Sequence, residues 1–353
     1  MLIKWISVLF FFFLIPLQST QKLTDSENKL RKETCGKGLK LKNGYGRKIL
    51  NGVKSRITDA PWNVAIEVMN EKESGLCTGT LISSRHVITA RHCFALLKDD
   101  GYVWTTNETK IQGFEKDAEK DLVLNRDFSK MFKLYAGTAC GYRQRCHESR
   151  VYSSEISKFF LPKVCDDKQL DFDDFAIVEL SENLELSSSI RPICTAEKGI
   201  DLFNPDVRMR LYGYGLDVSS ANDSIGRLKY ETVKAEKCFS TTEKAFCTRS
   251  ISRNQLACMG DSGGGVVRIM NDRVTVFGVI YQGVTCEVST RNELDYIASV
   301  AFYADDICRY TGICSLDVEK INDSTATSGA SEKNYFSFLL MFSLFHYIRI
   351  NEN

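Results

Sequence analysis

From Ile49 to Tyr281 apolar and polar residues alternate over short runs rich in β-branched side chains, and glycines and polar clusters separate the runs. Val64-Ala65-Ile66-Glu67-Val68, Phe175 to Leu180 and Val274 to Tyr281 are the clearest examples. A period of two turns one set of side chains toward a core and predicts strands. A helical period emerges only late, where Tyr296, Val300, Tyr303 and Ile307 would line one face of a single helix. Many strands and one terminal helix predict an all-β fold, as barrels or a sandwich, with closure protecting the strand edges.

Both ends break this pattern. Lys4 precedes an apolar run, Trp5 to Leu17, and small residues Ser19 and Thr20 offer a cleavage point. That order predicts a secretory signal over residues 1–20. The run is shorter than the ~20 apolar residues of a membrane span. Ser315 to Asn334 is polar and without period, as a linker is, and Tyr335 to Ile350 is apolar and aromatic. Small residues near Ser324, a polar spacer and this tail loosely fit a GPI-attachment signal. His346, Arg349 and Asn351-Glu352-Asn353 interrupt it, so a short membrane segment or a plain apolar tail stays open as the alternative.

Composition narrows the class. Hydrophobic residues make up 43% of the 353, enough for a sizeable core. With 46 basic and 45 acidic residues the net charge is +1, which excludes a bulk electrostatic pull toward nucleic acid. Thirteen cysteines behind a secretory signal read as disulfides. Sequons at Asn107, Asn222 and Asn322 suit the same route as glycosylation acceptors.

The candidate chemistry lies in two distant stretches. Cys258-Met259-Gly260-Asp261-Ser262-Gly263-Gly264 sets a serine among glycines, which allow a tight turn and let a carbonyl group approach. A serine hydroxyl needs an adjacent base to become a nucleophile. Val87-Ile88-Thr89-Ala90-Arg91-His92-Cys93 supplies one, with His86 as the competing histidine. A third group must orient the imidazole. Asp174, at the mouth of the run Phe175 to Leu180, is the candidate, with Asp171 and Asp173 beside it.

These motifs, in the order His, Asp, Ser over about Ile49 to Ile307, resemble the chymotrypsin/trypsin-like serine peptidases, in a divergent nematode-type secreted form. The resemblance implies two six-stranded antiparallel β-barrels, a C-terminal helix and an active site in the cleft between the barrels. It makes Ser262 the nucleophile, His92 the base and Asp174 its orienting partner, with the amides of Gly260 and Ser262 as oxyanion hole. Lys48-Ile49-Leu50-Asn51-Gly52, twelve residues before Pro61-Trp62-Asn63-Val64, looks like an activation site. Cutting after Lys48 would free an Ile49 ammonium to insert beside Asp261. The implied disulfides are Cys77–Cys93, Cys258–Cys286, Cys238–Cys247 and Cys35–Cys194, the last tethering a propeptide over residues 21–48. Cys140, Cys146, Cys165, Cys308 and Cys314 remain, with Cys308–Cys314 the natural local pair. The peptidase domain would run over residues 49–314, with an insertion at about 98–170 able to overhang the cleft. Expected partners are a protein or peptide substrate, an activating protease and a protein inhibitor; no cofactor, metal or nucleic acid is expected.

Several residues depart from the family pattern. Arg91 replaces a small residue, Ile280 a serine that helps hold the aspartate, Tyr281 a tryptophan, Gln282 a glycine and Gly265 a proline. The pocket base, six residues before Ser262, is Leu256, and an apolar base disfavours a cationic side chain. With Tyr281 and Gln282 narrowing the pocket, an apolar or small residue before the scissile bond is expected, or a basic one if Asp295 points inward. The same departures motivate the alternative, an inactive homologue that acts as a binding or regulatory protein. A serine esterase of the α/β-hydrolase type is excluded by its opposite chain order of Ser, Asp and His.

Overall fold

The structure is a computed structural model that describes residues 22–41, 52–69, 74–98, 101–112, 115–116, 121–142, 152–162, 174–204, 206–216, 226–238, 243–251, 257–283 and 294–315. The chain divides into two compact units, Met1–Ile313 and Cys314–Asn353, and all the strands and helices below belong to the first. Helix α1 (Asp25–Thr34) and the short strand β1 (Val53–Lys54) come first. Then follow β2 (Asn63–Val68), β3 (Gly75–Leu81), β4 (His86–Thr89), β5 (Ala95–Lys98), β6 (Gly101–Trp104) and β7 (Glu115–Lys116). The first half ends with β8 (Leu122–Asn125), β9 (Phe132–Ala136), β10 (Tyr152–Ser154), β11 (Ile156–Leu161) and β12 (Ala176–Leu180). The second half holds β13 (Cys194–Thr195), β14 (Met209–Gly213), β15 (Lys229–Glu236), β16 (Ala245–Ser250), β17 (Gly265–Met270), β18 (Arg273–Gln282), β19 (Asp295–Ser299) and helix α2 (Ala304–Thr311).

Among the described residues the second half runs β15-β14-β17-β18-β19-β16, and β16 pairs back to β15, closing a six-stranded antiparallel barrel. The first half forms a nine-stranded half-barrel in the order β10-β9-β2-β3-β4-β12-β11-β8-β7. The two-barrel architecture implied by the motifs is thus the one observed, with more strands in its first half than six. The alternating runs became β2, β12 and β18.

The late helical period is shorter than its spacing predicted. Asp295–Ser299 is strand β19, and helix begins only at Ala304. Ile297 and Ala298 are both fully buried, because β19 lies between β16 and β18 and packs on both faces. Pairing on two edges outweighs a spacing that also suits a helix.

The stretch read as an insertion carries part of the first core. Phe128, Phe132 and Phe159 are all fully buried, and Phe132 and Phe159 pack directly on Phe94. Phe159 lies 4.0 Å from Phe94, 4.5 Å from Phe128 and 5.5 Å from Phe132, ring centre to ring centre. Helix α2 returns from the second half to cap the first: Tyr303 stacks on Phe175 at 4.3 Å and Tyr310 on Phe160 at 4.5 Å. The Tyr310 hydroxyl donates to the buried Asp121 at 2.7 Å.

Residues 22–41, within the stretch expected to be a propeptide, are folded too. Thr24 and Glu27 form a reciprocal capping box that starts α1. The buried Arg31 donates through Nε to Ile82 O at 2.6 Å and through Nη2 to Ile193 O at 3.4 Å, reaching both halves of the chain. The Cys35–Cys194 disulfide follows, and Val274 N–H, at the start of β18, donates to Gly36 O at 3.1 Å. Gly36 has φ +59° and a Cβ there would overlap Val274 O, so only glycine fits. Cys77–Cys93 and Cys238–Cys247 are formed as expected. Cys140, Cys258, Cys308 and Cys314 are also disulfide-bonded, while Cys146, Cys165 and Cys286 lie outside the described residues.

Phe159→Ala is expected to lower stability by ~3–5 kcal/mol, since the ring touches three others and the void cannot collapse around it. Urea denaturation checks this; an unchanged midpoint would remove Phe159 from the core.

Candidate active site

His92 stands on a short turn whose geometry is fixed from both sides. Strand β4 ends at Thr89, Ala90 is extended, and Arg91–Cys93 make one 3₁₀ turn. Cys93 is tied to Cys77 on β3. Strand β12 pairs with β4 so that Ala176 faces Thr89, and the antiparallel register carries Asp174 back toward Arg91 and His92. Two hydrogen bonds result. His92 N–H donates to Asp174 Oδ1 at 2.8 Å, and His92 Nδ1 to Asp174 Oδ2 at 2.6 Å. With Nδ1 so engaged, Nε2 is the ring nitrogen left for a second partner.

The electrostatics of the pair are mutual. Burial works against a charged imidazole, but the Asp174 charge and hydrogen bond outweigh it and raise the His92 pKa above its ordinary value. Burial likewise opposes the Asp174 carboxylate, yet the charge and hydrogen bonds of His92, helped by Arg91, hold its pKa below the usual range. Arg91, a departure in the sequence, is itself buried, donating from Nη1 to the Tyr102 hydroxyl at 3.2 Å with its guanidinium 5.5 Å from that ring. The competing histidine differs in every respect. His86 is fully buried with Nδ1 2.8 Å from Ser83 Oγ, and burial, then the charges of Arg85 and Arg31, push its pKa down to about 3. His147 and His346 lie outside the described residues.

Ser262 sits directly behind the histidine turn. Its carbonyl accepts from Thr78 N–H at 2.8 Å and lies 3.9 Å from Cys93 Sγ. Gly263 has φ +86°, and a Cβ there would overlap both Thr78 O and Thr89 Oγ1, so glycine is what lets the serine turn approach β4. Gly263 N–H and Ile280 N–H bond crosswise to Ile280 O at 2.7 Å and Gly264 O at 2.9 Å, seating the turn on β18. Gly260, also at positive φ (+97°), precedes Asp261. Asp261 accepts from Gly215 N–H at 2.7 Å and Cys258 N–H at 2.9 Å. Its burial raises the pKa to about 6 despite those bonds and the charge of Lys229.

Tyr281 is buried and Gln282 exposed, while Leu256 lies outside the described residues. Asp295 does point inward: it is fully buried, and Oδ1 accepts from Ala257 N–H at 3.3 Å. Glu231 nearby, buried and beside the charges of Asp295 and Asp261, has its pKa raised well above the usual carboxyl range. Lys48, Ile49, Asn222 and Asn322 lie outside the described residues, and Asn107 is exposed. Cys77, His92 and Cys93 bring potential metal-ligating atoms within 4.8 Å of one another, but the two sulfurs are joined to each other and are not thiolates. Among the described residues no helix is long and apolar enough to cross a membrane.

In an NMR titration the His92 ring is expected to change protonation above the ordinary histidine value of about 6.5, and Asp174→Asn to bring the midpoint back down. A raised folded pKa means that the His92 contribution to stability is complete at lower pH and fades as pH climbs through that midpoint. An identical midpoint in wild type and Asp174→Asn would contradict the pairing.

Sequence comparison agrees with this architecture. Tissue-type plasminogen activator of Rattus norvegicus is 29% identical over 262 residues, covering 68% of this chain and 41% of the relative. That of Sus scrofa is 29% identical over 263 residues with the same coverage, and that of Bos taurus 28% over 263 residues, covering 68% and 40%. The chain therefore spans about two fifths of the length of these relatives. The profile of the Nematode trypsin-6-like family matches residues 5–314, a span that holds both barrels, the serine turn and helix α2, and the chain belongs to that family.

Proposed function

We propose that the chain is a secreted serine endopeptidase made as an inactive precursor. The observation that carries this reading is the 2.6 Å bond from His92 to Asp174, on a turn bridged to the strand that contacts Ser262. Ser262 attacks the substrate carbonyl while His92 Nε2 takes its proton and later delivers it to the leaving amine. Asp174 holds the imidazole in the tautomer that leaves Nε2 ready to accept, and stabilises the imidazolium. The N–H groups of Gly260 and Ser262 receive the oxyanion.

Two departures bear on this reading. Ile280 brings no hydroxyl to the aspartate, but Asp174 already has two His92 donors and the Arg91 charge. Asp295, the carboxylate that could have favoured a basic side chain, is buried and accepts from the Ala257 amide. With Leu256 as the expected base, an apolar or small side chain before the scissile bond is the preferred substrate feature. Secretion rests on the leader and the disulfides, glycosylation at Asn107 on its exposure, and a GPI anchor on the tail sequence alone. The second reading, a binding protein on the same scaffold, is favoured by Gln282 and Ile280.

Activation acts through charge. Cleavage after Lys48 frees an ammonium at Ile49, and its partner is Asp261, a buried carboxylate whose own surroundings hold it at a pKa of about 6. Removing one member of a buried pair typically costs ~3–5 kcal/mol because the other charge is left uncompensated, and an arriving ammonium relieves that penalty at Asp261.

Ser262→Ala is expected to lower turnover on the order of 10⁶-fold. After verified cleavage between Lys48 and Ile49, a fluorophosphonate probe should label Ser262; a cleaved wild type that takes no label would give the binding reading the advantage. Turnover should rise with pH as the His92 ring loses its proton. Asp261 predicts a further pH effect. Because its folded pKa is raised, the uncleaved protein should lose ~3 kcal/mol as pH climbs from about 4 to 6, a loss missing from Asp261→Asn. Denaturation curves of the two proteins across that window check it, and parallel pH profiles would refute it.

A further inference from the structure

Thr78 occupies a place that the catalytic roles above leave unexplained. It lies on β3 of the first half, is fully buried, and follows Cys77, the residue bridged to the histidine turn. Its side chain crosses to the second half. Thr78 Oγ1 donates to Gly260 O at 2.8 Å, and Tyr214 N–H donates to Thr78 Oγ1 at 3.1 Å. An amide N–H can only donate, so the hydroxyl must accept from Tyr214, and its hydrogen is thereby directed at Gly260 O. The backbone of Thr78 completes the set. Its N–H donates to Ser262 O at 2.8 Å and its carbonyl accepts from Thr89 Oγ1 at 2.8 Å, at the end of the strand that leads to His92.

One residue thus holds the carbonyl groups at both ends of Gly260-Asp261-Ser262. The same stretch carries the two N–H groups assigned to the oxyanion. Gly260 has φ +97° and, without a Cβ, little intrinsic resistance to rotation. A hydrogen bond to its carbonyl supplies that resistance from outside. The hydroxyl also joins the turn to Tyr214, whose neighbour Gly215 holds Asp261 through its amide. Donors stabilise a transition state only when they are fixed before the charge develops.

We propose that Thr78 is a positioning residue whose hydroxyl, reaching across the seam between the barrels, holds the Gly260–Ser262 turn in the conformation that binds the oxyanion. The proposal rests on Ser262 being the nucleophile. It concerns the side chain alone, since any residue at this position offers the same backbone N–H and carbonyl.

The test compares Thr78→Val, which keeps the side-chain shape and loses the hydroxyl, with Thr78→Ser, which keeps the hydroxyl. Each is cleaved at Lys48–Ile49, titrated with the fluorophosphonate probe, and assayed on a peptide ester. Thr78→Val should lower kcat by about 10- to 100-fold, less than the 10²–10³ lost when an oxyanion donor itself is removed, with KM changed by less than about threefold. Thr78→Ser should restore kcat to within about threefold of wild type. Thr78→Ala, which brings no extra methyl group to the seam, serves in place of Thr78→Val should the latter not fold, with the same expectation. A hydroxyl-free variant with a lower melting temperature but wild-type kcat per titrated site would overturn the proposal, as would a serine variant no better than valine. A cleaved wild type that takes no probe would instead bring down the nucleophile assignment on which the proposal stands.

Discussion

The imidazole and its carboxylate belong to one curved sheet and the serine turn to another, so the proposed chemistry depends on the seam between them. Individual bonds across it are modest, each contributing ~0.5–1.5 kcal/mol to stability. Their effect on position is larger in consequence, because a displacement of about 1 Å between reacting groups can cost on the order of 10²-fold in rate. The seam is accordingly stitched beside His92 and Ser262. Ser262 O meets Thr78 N–H, the Tyr214 hydroxyl donates to Thr138 O at 2.8 Å, and Gly263 removes the side chain that would hold the sheets apart.

Charge is distributed unevenly across that seam. On the first side Asp174 is balanced by His92 and Arg91, so the buried carboxylate lies below its usual pKa. On the second side Glu231 feels the charges of both Asp295 and Asp261, and Asp261 gains from the Lys229 charge. Burial first, and then the neighbouring charges of Asp295 and Asp261, raise the pKa of Glu231 well above the usual carboxyl range.

Local pattern made some of this legible in the sequence. Alternation located β2, β12 and β18, and the cysteine beside His92 separated it from His86, which proved buried and neutral. Local pattern misled at Tyr296, where pairing with two neighbouring strands overrode a helical spacing, and it did not reveal that Phe128, Phe132 and Phe159 are core. Thr78 was not legible at all. Nothing in Cys77-Thr78-Gly79 distinguishes that threonine, because its partner Gly260 is 182 positions away and its role exists only after both sheets have formed. Helix α1 was missed for a related reason. Its stability comes from one cap and one arginine buried in a socket built by Ile82, Ile193 and Thr195, none of which a helical period reveals.

That socket also bears on how a precursor would be switched on. A cut after Lys48 leaves the preceding segment held by the Cys35–Cys194 bond, by Arg31, by Gly36 against β18, and by Leu23 N–H donating to Thr311 O at 2.8 Å. Cleavage therefore removes nothing from the body of the molecule. The serine turn is equally settled before the cut, with Asp261 on two amides and the carbonyl groups of Gly260 and Ser262 on Thr78. On the proposed activation the cut would supply one further positive charge, and Asp261, which until then gains only from the Lys229 charge, is the carboxylate in the turn that would receive it. On this reading activation is less a rearrangement than a neutralisation, made effective because the surrounding hydrogen bonds have already fixed where the charge must go.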